Sequence, residues 1–171
     1  MGSYGKSDYK IITVTPTLDT SGAYANGDVL FNGLAIPNAV LGNGGCSKLI
    51  NMYIYNQAGQ VIDATFIFSQ NSLTLGTQHA TASVGDDAME AAKLTGMVLL
   101  DGSASTTASI DNSRLFSSTY NASVQDFIPL LLQAADDSTS VYVSATVDDG
   151  TPDFSSAGAD ALDLILHIQY R

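Results

Sequence analysis

The chain has 171 residues, of which 45% are hydrophobic and only 13% charged, with a net charge of −11. Sixteen of its acids are Asp and one is Glu90, against six Lys and Arg, two His, one Cys and no Trp. This length suits one domain with its own core, and the charge repels phosphate backbones, which argues against nucleic acid as a partner. No apolar run approaches the ~20 residues of a spanning helix, which argues against a membrane.

In chain order, residues Met1 to Leu18 carry Lys6 and Lys10 against Asp8, the one net-positive stretch of an acidic chain. With Tyr9 and the β-prone Ile11-Ile12-Thr13-Val14-Thr15, they predict an extended N-terminal arm over 1–18, ahead of a domain over 19–171. Two readings remain open for Ile11 to Thr15. The segment either adds as a strand to a neighbouring molecule, with Lys6 and Lys10 meeting acidic groups there, or forms the first strand of the protein's own sheet.

From Asp19 to Gly45 the turn residues Asp19-Thr20-Ser21-Gly22, Asn26-Gly27-Asp28, Asn32-Gly33 and Asn43-Gly44-Gly45 separate short apolar pieces. Asn-Gly between apolar runs predicts hairpins, because both residues tolerate positive φ. Ile50, Met52 and Ile54 then alternate with Asn51, Tyr53 and Tyr55, and a strand from Val61 to Phe68 follows Gln57-Ala58-Gly59-Gln60. Period-two logic predicts a hairpin of these two strands.

Asp86 to Leu94 predicts a two-turn helix covering one end of the fold, with Asp87 and Glu90 as a capping box and Gly96 as its stop. Strands resume at Met97 to Leu100, continue weakly through Ile110 and Leu115-Phe116, and reappear in Phe127 to Leu132. There Pro129 must sit at an edge, a bulge or a strand start. Val141, Val143, Ala145 and Val147 form a clean alternator, and so do Leu162, Leu164, Leu166 and Ile168, with Ile165 breaking the second pattern. Eight to ten short strands and one helix predict an all-β fold, an antiparallel β-sandwich of jelly-roll type.

Catalytic chemistry finds few side chains here. No Gly-x-Ser-x-Gly occurs, and His79 and His167 read as surface or interface residues rather than bases. Gly42-Asn43-Gly44-Gly45 is followed by neither Lys-Ser/Thr nor a helix, so it reads as a turn rather than a phosphate cradle. The pairs Asp86-Asp87, Asp136-Asp137 and Asp148-Asp149 read as turn and solubility residues, with calcium at Asp148-Asp149-Gly150 as the alternative. Asn121-Ala122-Ser123 matches a glycosylation sequon. Cys46 has no partner for a bridge and no basic neighbour to activate it, which fits a reducing cytoplasm. The expectation is a non-enzymatic building part without cofactors.

Two stretches carry a resemblance. Asp19 to Leu30, with Ser21-Gly22-Ala23-Tyr24 and Gly27-Asp28-Val29-Leu30, and Gly150-Thr151-Pro152-Asp153-Phe154 before the last strand are similar to motifs of small virion proteins from tailed bacteriophages of aquatic bacteria. These resemble head decoration, or cement, proteins. The resemblance implies a protein made in the host cytoplasm that coats the outer surface of the virion head and bridges neighbouring subunits of the major capsid protein. It also implies association with copies of itself, a trimer ahead of a dimer. The residues chosen for partner contact are Lys6, Tyr9, Lys10, Ile11, Ile12, Tyr53 and Tyr55. The competing expectation is a carbohydrate- or host-binding jelly roll on a phage tail or spike, using exposed aromatics such as Tyr53, Tyr55 and Tyr142.

Overall fold

A computed structural model describes residues 8–102, 106–117 and 128–170. Among them are ten strands and one helix: β1 (Tyr9–Val14), β2 (Val29–Ile36), β3 (Cys46–Asn56), β4 (Asp63–Ser69), α1 (Asp86–Ala92), β5 (Leu94–Leu100), β6 (Thr106–Ile110), β7 (Ser113–Ser117), β8 (Leu130–Gln133), β9 (Val141–Asp149) and β10 (Leu162–Tyr170). One sheet has the order β1-β10-β3-β7-β6, with β8 also paired to β3; the other has the order β2-β9-β4-β5. Every pairing is antiparallel.

Setting the β6–β7 hairpin aside, the orders β1-β10-β3-β8 and β2-β9-β4-β5 are the two four-stranded sheets of a jelly roll. The chain changes sheet at each step from β1 to β4 and again from β8 to β10. This wiring follows from alternation. Met52 and Ile54 of β3, Phe66 and Phe68 of β4, Val143 and Ala145 of β9, and Leu164 and Leu166 of β10 are all fully buried between the sheets. Each large side chain so buried contributes roughly 1.5–3 kcal/mol.

The expected hairpin of β3 with β4 does not form, because the two strands belong to opposite sheets. Their aliphatic faces cover each other across the core instead of lying side by side. Fully buried Ile62 draws the link inward. Asn56 fastens it, its Nδ2 donating to the Gln60 carbonyl at 2.8 Å and its Oδ1 accepting from the Ala58 N–H at 2.9 Å. The strand therefore begins at Asp63 rather than Val61.

Asn32-Gly33 is also not a hairpin turn. It lies inside β2, where the register against β9 shifts between Phe31 and Leu34. Gly33 has φ 46°, so the tolerance that suits Asn-Gly to a turn here permits a bulge. Asn32 turns this irregularity into an anchor, accepting from the Leu75 N–H at 2.7 Å and donating to the Gly76 carbonyl at 3.0 Å. Ser144 of β9, fully buried, accepts from the Gly33 N–H at 2.8 Å and donates to the Leu73 carbonyl at 2.7 Å.

Those bonds hold the segment between β4 and β5 against the outer face of the four-stranded sheet, not over an end of the sandwich. Leu73, Leu75 and Ala92 bury there with Val29, and Ile67 and Met89 pack on them. Helix α1 starts from Gly85 with no side-chain cap, so Asp87 is a first-turn acid beside Asp86 rather than the cap. The helix stops at Lys93, in the left-handed region at φ 53°, while Gly96 lies within β5.

Strand β1 decides between the two readings of Ile11 to Thr15. It pairs with β10 from Tyr9↔Gln169 to Val14↔Leu164 and turns Ile12 and Val14 into the core. Leu18 is buried too, its N–H donating to the Ala159 carbonyl at 2.7 Å. Residues 9–18 are thus integral to the sandwich, and the expected division after Leu18 does not hold for them. The alternation of β1 matches that of β10, so pairing there buries an apolar face that a free arm would leave wet. Lys6 and the sequon at Asn121 lie outside the described residues, as does Phe127. Pro129 stands immediately before β8, at a strand start as expected.

Candidate interaction surface

The outer face of the six-stranded sheet is built by alternation on its first three strands. Strand β1 directs Tyr9, Ile11 and Thr13 outward, and the cross-strand neighbours of Ile11 and Thr13 on β10 are His167 and Ile165. On β3 the matching positions are Asn51 opposite His167, Tyr53 opposite Ile165, and Tyr55 opposite Asp163. The register between β10 and β3 slips at His167 and Ile168, leaving Ile50 as an extra residue. A shallow depression of about 480 Å³ lies among Tyr9, Ile11, Ile50 and His167. Tyr9 is 59% and Ile11 63% exposed, a large apolar presence for a wet sheet face.

Local contacts stiffen this face. The Tyr53 and His167 rings sit 5.2 Å apart at 56°. The Tyr55 hydroxyl donates to Ser113 Oγ at 3.2 Å, and Gln169 Nε2 donates to the Tyr9 hydroxyl at 3.1 Å. Among the described residues β1 is the last strand on its side of the sheet, so it forms an edge there. Lys10 is the one charged residue of β1, a light defence for an edge.

Of the residues chosen from sequence, Tyr9, Ile11, Tyr53 and Tyr55 share this face. Lys10 and Ile12 do not: they alternate to the other side, with Ile12 in the core and Lys10 half-buried. Tyr142 belongs to β9 in the opposite sheet, so the three tyrosines form no common platform. His167, expected as a surface or interface residue on the polar side of β10, lies on this face, and Ile165 joins it, its place signalled by the break that it makes in the apolar alternation.

A second constellation gathers the two motifs that carry the resemblance. Tyr24 stacks on His79 with centroids 4.6 Å apart and meets Phe154 edge-on at 5.9 Å. The Tyr24 N–H donates to the Pro152 carbonyl at 2.9 Å. His79 Nδ1 lies 3.0 Å from Ser21 Oγ and 3.5 Å from Asp19 Oδ1, while Nε2 lies 3.0 Å from the Ala23 carbonyl. The carbonyl needs a donor, so in the neutral ring Nε2 carries the proton and Nδ1 is left as an acceptor, with the Ser21 hydroxyl placed between it and the Asp19 carboxylate. Ser21 and Asp19 thus approach the same nitrogen, whereas a catalytic relay places nucleophile and acid on opposite nitrogens. This arrangement ties loops together.

Its electrostatics agree. Hydrogen bonds from Ser21 hold the Asp19 carboxyl below its ordinary value, with His79 adding to the effect. Those from Ser155 do the same for Asp153. Burial pushes the Tyr24 hydroxyl up.

The Asp pairs go to separate places. Asp86 and Asp87 open α1, Asp136 and Asp137 form a turn, and Asp148 accepts from Thr65 Oγ1 at 2.6 Å. Among the described residues no group of three or more His, Cys, Asp or Glu side chains is placed to hold a metal ion. Among the same residues no helix is long and apolar enough to cross a membrane. Compared with known proteins, the chain matches no family model, no curated protein and no solved structure.

Proposed function

We propose that this chain is a structural virion protein that decorates a phage capsid, bridging neighbouring copies of the major capsid protein and associating with copies of itself. The observation that carries the reading is the aromatic and aliphatic outer face of Tyr9, Ile11, Tyr53 and Ile165, which runs out to β1, the edge strand of the sheet among the described residues. A face of this kind, low in charge and framed by strand backbone, suits burial against a protein partner. The acidic remainder supports placement on the outer surface of the head, since it repels packaged DNA. Support also comes from the resemblance, whose two motifs meet in one cluster around Tyr24.

The test is reconstitution. Purified protein is added to capsids that lack it and imaged by electron microscopy. Density at the junctions between capsomers, with the outer face of β1, β10 and β3 turned toward a neighbour, is the expected result. Absence of binding to heads, or density on the tail, overturns the proposal; the second outcome would move the protein to a host-binding role.

A further inference from the structure

A polar cleft of about 590 Å³ lies at one end of the sandwich, between the β3–β4 link, the β6–β7 turn and the loop ahead of β10. Gln57, Asp111, Asn112, Ser113, Arg114 and Ser156 supply its polar walls. The turns that frame it are set close together. Gly59 has φ 67°, and a Cβ there would collide with the Asn112 carbonyl oxygen, so only glycine permits this approach.

Arg114 is the unusual member. It is half-buried in a chain of net charge −11, yet its side chain makes no hydrogen bond or ion pair among the described residues, Asp111 included. The side chains of Gln57, Asn112 and Ser156 are likewise uncommitted among those residues. Ser113 Oγ accepts from Tyr55 and keeps its own hydrogen to donate. The cleft therefore offers a guanidinium fork, two amides, two hydroxyls and one carboxylate acceptor on walls with little apolar surface.

We propose that this cleft binds a saccharide bearing a single carboxylate, a uronic acid or similar sugar acid, with Arg114 holding the carboxylate and the amides and hydroxyls holding ring hydroxyls. A planar fork matches a carboxylate through two parallel bonds. The volume lies within the ~300–1,000 Å³ of small-ligand sites, while the polar lining excludes an apolar ligand. A protein carboxylate alone would use Arg114 and leave the amides unmatched. A polyanion such as nucleic acid would meet the repulsion of the whole surface, which a ligand with one charge largely escapes.

The experiment titrates the full chain with digalacturonic acid, its dimethyl ester and sodium acetate, following amide shifts by NMR. Saturable binding of the acid is expected, with the ester weaker by about tenfold or more, the scale of a lost charged hydrogen bond. Arg114→Gln should erase the preference for acid over ester and leave circular dichroism unchanged, because the Arg114 side chain makes no hydrogen bond or ion pair among the described residues. Arg114→Lys should retain part of it. No saturable binding, an undiminished preference in Arg114→Gln, or acetate binding as tightly as the disaccharide each overturns the proposal. None of these readouts involves capsids.

Discussion

Tyr24 and Phe154, drawn from opposite ends of the sequence, meet with ring centroids 5.9 Å apart and planes at 78°. His79 stacks on Tyr24 at 4.6 Å and 16°. Three loops are joined by this short aromatic column: the one entering β2, the one covering the four-stranded sheet, and the one entering β10. The Tyr24 hydroxyl completes it, accepting from the Asp19 N–H at 2.8 Å and donating to the Asp19 carbonyl at 3.1 Å.

Phe154→Ala removes a fully buried ring from that column and should cost about 3–5 kcal/mol. Tyr24→Phe keeps the ring but strands the Asp19 backbone groups, for a loss of about 1–3 kcal/mol. Chemical denaturation measures both. A Phe154→Ala loss under about 1 kcal/mol would show that the column is not a structural tie.

Ser144→Ala should leave both the Gly33 N–H and the Leu73 carbonyl without their partner, costing about 1–3 kcal/mol. The effect should be local. Hydrogen exchange should rise first in residues 70–85, which cover the outer face of the four-stranded sheet, and later in β3 or β10. Uniform loss of protection would place Ser144 in the global core instead.

The strands were legible because alternation states which side of each is buried, as in Leu162, Leu164, Leu166 and Ile168. Alternation does not state which sheet a strand joins. Strands β3 and β4 read as a hairpin for that reason, while the buried Ile62 and the Asn56 side-chain bonds that divert the link are tertiary facts. Asn32-Gly33 misled similarly, since positive φ serves a turn and a bulge alike. On the outer face, Tyr53 and Tyr55 were legible from their period with Ile54. Ile50 was not, because the slip between β10 and β3 depends on two strands far apart in sequence. Nor was the cleft around Arg114, which three separate loops build.

Acid should weaken the fold through Asp19 and Asp153. Both carboxyls are held below their ordinary value of 3.8 by hydrogen bonds from Ser21 and Ser155. A depressed folded-state value means that their contribution is complete above the unfolded value and is lost as pH falls through the folded one. Melting temperature should therefore decline as pH drops below about 4. The double variant Asp19→Asn with Asp153→Asn should flatten that decline, since Asn still accepts a hydrogen bond but does not titrate. An equally steep decline in the variant would assign the acid sensitivity elsewhere. Both groups are exposed, so the effect is small beside that of the core.

Adjacent residues of β1 separate folding from assembly. Ile11 is 63% exposed on the outer face, whereas Ile12 is 6% exposed and faces the core. Ile11→Lys changes no core contact, so its stability should stay within about 0.5 kcal/mol of the parent. The same change places an ammonium at the centre of the proposed interface, where burial without a partner carboxylate is costly. Self-association and capsid occupancy should therefore both fall. Ile12→Lys does the reverse, forcing a charge toward the core and unfolding the protein or loosening β1. Thermal melts with sedimentation velocity and capsid binding read all three properties on both variants. If Ile11→Lys assembles and decorates as the parent does, the outer face of β1 is not the interface, however well the protein folds.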